Sequence, residues 1–274
     1  MAHKHFIVSA FGDEISPDPR VQLQVLAQCG IKHLELRSIH GTNVLDLSED
    51  QRSDLKRLLH DQGFQLSAIG SPIGKVNIDD AWPAHWQRFQ RALDVARYFS
   101  TPRVRIFSFY PPQAGTSWTS YRTQIIERLQ QMTEAAAQAN VVLMHENEHR
   151  IYGESPANVL DLLRTINHPH FRAVYDAANY VLGGYDPWDA WSMTKPWTVH
   201  FHIKDWNRGE PHGVPAGHGQ GRILEVLRDA AQSGYQGYTT LEPHLQGGGP
   251  TGGFTGIDLF PSAAQALRGI LAQL

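Results

Sequence analysis

Several features that would place a chain in a large functional class are missing from this sequence. With a single cysteine, Cys29, it cannot form an internal disulfide, so a reducing compartment is the simple expectation and the thiol reads as a packed core group. It has no run of lysines or arginines, and 24 basic against 27 acidic residues leave a net charge of −3. That balance argues against an electrostatic grip on nucleic acid or on an anionic membrane. No stretch approaches the ~20 apolar residues of a membrane span. The N-terminal MAHKHFIVSAFGDE runs straight into a strand pattern without the apolar core of a secretory signal. The expectation is a cytoplasmic protein acting on a small molecule, with self-association into a homo-oligomer left open. SAFGDEIS (9–16) contains no G-x-G-x-x-G, which weighs against a doubly wound dinucleotide-binding sheet. Linkers, low-complexity tracts and charge blocks are also absent, so residues 1–274 read as one domain.

What the chain does have is a regular alternation of strand and helix. Short runs rich in β-branched and aromatic residues fall at 6–12, 32–38, 65–71, 102–109, 140–146, 171–176, 197–204 and 237–242. Helical patterns lie between them at about 17–29, 48–62, 79–99, 118–139, 155–166, 186–194 and 220–233, with a last one at about 260–273. Ser16 before Pro17, Ser48 before Glu49 and Ser155 before Pro156 read as helix starts; Gly30, Gly63 and Gly234 read as left-handed C-terminal caps. Eight βα units in a chain of this length specify a (β/α)8 TIM barrel, with its active site at the C-terminal ends of the strands. The glycine-rich stretch 247–256 then falls on the catalytic face, as a mobile loop or a phosphate cradle.

Four strand ends carry the chemistry. VVLMHEN (141–147), FRAVYDAAN (171–179), VHFHIKDW (199–206) and YTTLEPHL (238–245) offer Glu146, Asp176, His202 and Glu242. A divalent cation needs carboxylate and imidazole donors that converge from several directions, and parallel strands around a barrel deliver them that way. Strand parity agrees. Val199, Phe201 and Ile203 fall on one face, suited to packing under helices, and His200, His202 and Lys204 point inward. The same alternation groups Glu146 with Met144, Asp176 with Val174 and Glu242 with Thr240. His200 would lie one layer deeper as a hydrogen-bonded core histidine.

Together with ELRS (35–38), SPIGK (71–75), the Glu146-Asn147 pair, Asp176 with Asn179, HIKD (202–205), GHGQG (217–221) and LEPH (241–244), this quartet resembles the xylose isomerase-like TIM-barrel superfamily. That group of sugar phosphate isomerases and epimerases includes ketose 3-epimerases, hydroxypyruvate isomerases, inosose dehydratases and endonuclease IV. The likeness implies a bound divalent ion, Mn2+ first with Co2+, Mg2+ or Zn2+ as alternatives, because the mixed donor set does not choose among them. It also implies that Glu146 and Glu242 both hold the ion and carry protons through an enediolate, so that one removes the proton α to a carbonyl and the other returns it.

Departures from relatives narrow the choice. Neither LSAIGSP nor VRIFSFY supplies the extra histidines of the three-zinc DNA-repair enzymes, and Glu210-Pro-His212 stands one residue too far from Gly217 to match their motif. Asn179 occupies the place where ketose 3-epimerases carry histidine, and His218 a place where many relatives carry glutamate. The expected activity is therefore sugar isomerase or epimerase. A lyase or dehydratase on a keto-sugar or cyclitol, or a barrel that only binds sugar, are the alternatives.

Other inward or mouth residues complete the candidate substrate site. Glu35 and Arg37 share the inner face of the second strand, Arg37 as a substrate contact or a partner of Glu35; Arg105 does the same on the fourth strand. Lys75 reaches from a loop or stays a surface lysine. Lys204 and Asp205 orient the ligand histidine or hold substrate. Asn179 and His244 are further contacts, His244 and His149 being acid/base helpers or plain loop histidines. Trp206 stacks on a sugar face or packs a loop.

Overall fold

The computed structural model describes residues 5–112, 117–248 and 253–274. Strands β1 (Phe6–Phe11), β2 (His33–Leu36), β3 (Gln65–Ile69), β4 (Arg103–Ile106), β5 (Val142–Glu146), β6 (Phe171–Asp176), β7 (Thr198–Ile203) and β8 (Gly237–Leu241) form a closed parallel barrel in chain order. β8 closes onto β1 with Ala10 opposite Leu241, so the last strand end stands beside the first. Eight of the helices follow the expected pattern: α1 (Pro19–Gln28), α2 (Glu49–Asp61), α3 (Trp82–Tyr98), α4 (Arg122–Gln138), α5 (Pro156–Ile166), α7 (Pro187–Thr194), α8 (Ile223–Gln232) and α9 (Gly256–Leu271). The short α6 (Ala177–Leu182) is an addition, and it is capped by the side chain of Asp176 itself. The (β/α)8 TIM barrel expected from the pattern is the fold observed.

Local chemistry sets the helix starts. Ser48 forms a full capping box with Gln51, and Ser155 caps α5 with Pro156 in its first turn. α1 departs from expectation. Its cap is Asp18, which accepts from Arg20 N at 2.8 Å, while Ser16 accepts from Asp18 N one step earlier. Both positions precede a proline, and the carboxylate two residues further on is the stronger acceptor for a helix N-terminus. Gly30, Gly63 and Gly234 take φ of 61°, 68° and 81° after α1, α2 and α8, as C-terminal caps require.

Two cores result. Between strands and helices lies the large apolar layer, which includes Phe6, Tyr175, Trp191, Phe201 and Tyr235, with Phe201 and Tyr235 centroids 4.8 Å apart. Inside the barrel a small patch of Ala68, Met144 and Val174 gives way to polar groups: Ser9 bonds Ser67 at 2.7 Å and His200 bonds Thr240 at 2.7 Å. Val199, expected beside Phe201 and Ile203, packs instead against the interior patch. The β6–β7 register skips it, since Ala173 faces Thr198 and Val174 faces His200, so Val199 is the extra residue of a bulge. Cys29 is buried, as expected. No helix among the described residues is long and apolar enough to cross a membrane.

Candidate metal and active site

Inside the mouth of the barrel, donor atoms of Glu146, Asp176, His202 and Glu242 lie within 4.8 Å of one another, and all four residues are buried. Glu146 and Asp176 end their strands, His202 sits one residue from the end of β7, and Glu242 follows β8 while its N–H still donates to Ile203 O at 3.1 Å. His202 presents Nδ1 to this group, 2.9 Å from Glu146 Oε1 and 3.7 Å from Glu242 Oε2. Its Nε2 faces both oxygens of Glu35 at 3.3 Å, and the Phe11 ring meets the imidazole edge-on. A carboxylate behind Nε2 favours a proton on that nitrogen, so that a bound ion would take the Nδ1 lone pair.

Each carboxylate is oriented by its far oxygen or its backbone. Glu146 Oε2 accepts from Arg105 Nη1 at 3.1 Å, and Glu242 Oε1 accepts from Arg37 Nη1. Asn147 exchanges two bonds with the Asp176 backbone, and Asn179 donates through Nδ2 to Asn147 O. Asp176 Oδ1 accepts from Asn179 N, whereas Asp176 Oδ2 is buried and accepts no hydrogen bond; Lys204 Nζ stands 3.2 Å from it.

Three carboxylates in so small a volume are costly to bury unless cations offset them. Burial would raise Glu146, but His202 and Arg105 outweigh it and hold the carboxyl at about 2. For Glu242 burial is likewise outweighed, by Lys204, His244 and Arg37, which keep it well below the usual carboxylate range. Burial lowers an imidazole, yet Glu146 and Glu35 bring His202 up to about 10. Asp176 differs. Burial, reinforced by Glu146 and Glu242 and only partly offset by Lys204, pushes it up to about 6. An under-compensated buried carboxylate oxygen amid two other carboxylates and an imidazole nitrogen fits a divalent cation, whose charge would return Asp176 to the ionised form.

A cavity of about 400 Å³ opens over the quartet. Of the expected substrate contacts, Arg37, Lys75, Arg105, Lys204 and His244 line it, together with Glu146 and Glu242. Glu35, Asn179 and Trp206 do not. Glu35 is fully buried between His200 and His202, Asn179 is tied to Asn147, and Trp206 donates its indole N–H to Glu210 O. Nor does Arg37 pair with Glu35: its guanidinium is taken by Asp13, Glu14 and Glu242. His200 is the buried, hydrogen-bonded histidine expected one layer down. Asp205 serves the loop after β7, accepting from Gly217 N, Gly219 N and Gly221 N at 2.8–2.9 Å. A Cβ at Gly219 would lie 2.3 Å from Asp205 Oδ1, which accounts for a glycine there. His149 and His218 are exposed, and residues 249–252 of the glycine-rich stretch lie outside the described residues.

Sequence reasoning passed over Asp13, Glu14 and Glu148. Glu14 is fully buried, 3.0 Å from His244 Nε2, and accepts from Thr255 Oγ1 at 2.8 Å. Burial, which lowers an imidazole, is outweighed at His244 by Glu14 and Glu242, which bring it up to about 9. The available signal was positional: Asp13 and Glu14 follow β1 directly, at the same end of the barrel as the quartet.

Residues 23–268 match a family model described as the xylose isomerase-like TIM barrel. Among curated proteins, the 3-dehydroshikimate dehydratase of Bacillus anthracis is 21% identical over 183 residues, 67% of this chain and 65% of that protein, so the match spans just under two thirds of the relative's length. Among solved structures, a xylose isomerase-like TIM barrel protein from Mycobacterium smegmatis in complex with magnesium has a TM-score of 0.77 at 18% identity, covering 99% of this chain and 97% of its own. The D-psicose 3-epimerase of Clostridium cellulolyticum H10, solved with D-tagatose, has a TM-score of 0.73 at 14% identity, covering 98% of each chain. At these identities the solved structures share the fold alone.

Proposed function

The chain belongs to the xylose isomerase-like TIM barrel family, and from that premise we propose that it is a divalent-metal-dependent isomerase or epimerase of a small sugar or keto-sugar. The observation that supports this most is the convergence of Glu146, Asp176, His202 and Glu242 around the buried Asp176 Oδ2 that accepts no hydrogen bond. These four would hold the ion. When bound, it supplies Lewis-acid polarisation of the substrate carbonyl and the adjacent hydroxyl oxygen. The protein's own groups then divide the remaining work.

Glu146 ends β5 and Glu242 follows β8, so their carboxylates approach the cavity from different strands. One removes the proton on the carbon next to the carbonyl, and the other returns it. Return to the same carbon from the opposite face gives an epimer; return to the neighbouring carbon gives an isomer. Arg105 and Arg37 grip the far oxygens and so set the direction in which each carboxylate faces. Lys204, within reach of Asp176 and Glu242 and lining the cavity, is placed to donate to the oxygen that gains charge as the proton leaves.

A panel of keto-sugars in D2O, followed by NMR with metal-loaded protein, tests the reading: deuterium should enter at the carbon next to the carbonyl, and its absence from every member of the panel would contradict proton transfer. The likeness to a 3-dehydroshikimate dehydratase favours a second reading, in which the same proton removal is followed by loss of water. Product mass separates the two, since elimination lowers it by one water and epimerisation leaves it unchanged.

A further inference from the structure

Each lysine and arginine that lines the cavity is already committed to a carboxylate. Arg37 serves Asp13, Glu14 and Glu242; Arg105 serves Glu146; Lys204 stands by Asp176 and Glu242. The fourth, Lys75, is the one at the rim, and Glu148 Oε2 takes its ammonium at 2.8 Å. The pair is partly shielded, with side-chain exposures of 32% and 21%. It joins the segment after β3 to the segment after β5, across the end of β4. Lys75 also sits 4.3 Å from the centroid of the Phe107 ring.

Its backbone is built in. Phe107 N donates to Ile73 O, Phe109 N to Gly74 O and Tyr110 N to Val76 O, all at 2.8–2.9 Å, so the turn at 73–76 is tied by three backbone bonds to the segment that continues β4. Gly74, at φ 89°, lies so close that a Cβ would stand 2.1 Å from Phe107 O. Lys75 is therefore carried on an anchored backbone, with Glu148 as its ion-pair partner. The lining carboxylates Glu146, Glu148 and Glu242, with Asp13, Glu14 and Asp176 beside them, account for every one of the four. Among the described residues, no lining cation is left over for a phosphate or carboxylate.

On this basis, and building on the function proposed above, we propose that the site takes an uncharged polyhydroxylated keto-sugar, and that the Lys75–Glu148 pair is the specificity device that turns anionic analogues away. The pair offers hydrogen-bond donors and acceptors to sugar hydroxyls while presenting no net charge. Removing the acid alone would leave an unpaired ammonium at the rim and invite an anion.

Two measurements on full-length, metal-loaded protein test this. In the first, deuterium exchange is compared between a ketose and its terminal phosphate ester for wild type, Glu148→Gln and the double variant Glu148→Gln with Lys75→Met. Wild type should prefer the neutral sugar, Glu148→Gln should shift the ratio of kcat/KM toward the ester by at least about tenfold, and Lys75→Met should cancel that shift. A wild-type preference for the ester, or an unchanged ratio in Glu148→Gln, overturns the proposal. In the second, calorimetry with inorganic phosphate as probe needs no turnover: Glu148→Gln should bind it at least about tenfold tighter than wild type and than the double variant. Equal phosphate affinity in all three overturns the specificity device even if sugars exchange, whereas the expected affinities without exchange of any sugar sink the proton-transfer reading and leave the charge device standing.

Discussion

Strands β5 to β8 deliver Glu146, Asp176, His202 and Glu242 to one point, whereas β1 to β4 and the segments just beyond them deliver Asp13, Glu14, Glu35, Arg37 and Arg105 around it. Apart from the half-buried Asp13 both sets are buried, yet their residues do different things. The second half offers donor atoms. The first half offers the groups that make such donors tolerable: Arg105 for Glu146, Arg37 for Glu242 and Glu35 for His202. Asp176 draws its nearest cation, Lys204, from its own half and remains the under-compensated carboxylate. The proposed cation site is thus a joint product, with its proposed ligands from one side and counter-charges from the other, and the two sides should fail differently.

The largest expected failure comes from removing a counter-charge without its partner. Arg105→Met strips the buried Glu146 of the guanidinium that lies against the Phe11 and Phe107 rings, and the metal-free variant should lose about 3–5 kcal/mol of stability, measured by urea unfolding. Added divalent ion should recover part of that loss, because a ligand that binds only the folded state stabilises it. Equal stability of metal-free wild type and variant would break the comparison.

On the ligand side, Glu146→Gln and Glu242→Gln keep the size and one oxygen donor but lose the basic carboxylate. Turnover should fall about 100-fold or more while metal is partly retained. If the substrate carbon proton exchanges at the wild-type rate in both variants, these glutamates are not its acid/base pair, and Lys204, His244 and His149 become the bases to test. Asp176→Asn should act through metal affinity, so that excess ion restores part of the activity. An activity loss that ion concentration does not touch would move Asp176 from ligand to a different role.

The smallest effect lies in the first half, away from the mouth. His85 on α3 is buried between Trp82 and Phe109 with neither ring nitrogen hydrogen-bonded, and burial, together with Arg128 and Arg88, takes it down to about 4. Between the ordinary histidine value of 6.5 and about 4, the folded chain therefore binds fewer protons than the unfolded one. Stability rises with pH across that window and is lost as pH falls through it, by about 2 kcal/mol at pH 5 relative to pH 7. His85→Phe should remove this component from the difference in urea unfolding between pH 7 and pH 5; an unchanged difference would show that His85 is not buried neutral.

The two halves were also unequally legible. His202 and the three carboxylates stand out because each ends or follows an apolar strand pattern, and the two-residue period fixes which side chains turn inward. The partners of Arg37 were not legible in the same way. Glu242 lies 205 positions away and Glu14 meets His244 across 230, and no local pattern encodes a pairing made by closure of a barrel. Asp176 shows a different limit: as a strand end it was readable, but its side chain also caps α6, a helix too short to leave a periodic signal. Val199 shows a third, since a bulge resets the strand alternation at a single residue.

The most direct test of the division between halves is metal content by elemental analysis of wild type, His202→Ala and Arg105→Met, each purified without chelator. The account predicts about one divalent ion per chain in wild type, near loss in His202→Ala and retention in Arg105→Met. Full metal content in His202→Ala, or loss from Arg105→Met while His202→Ala keeps its ion, would contradict it.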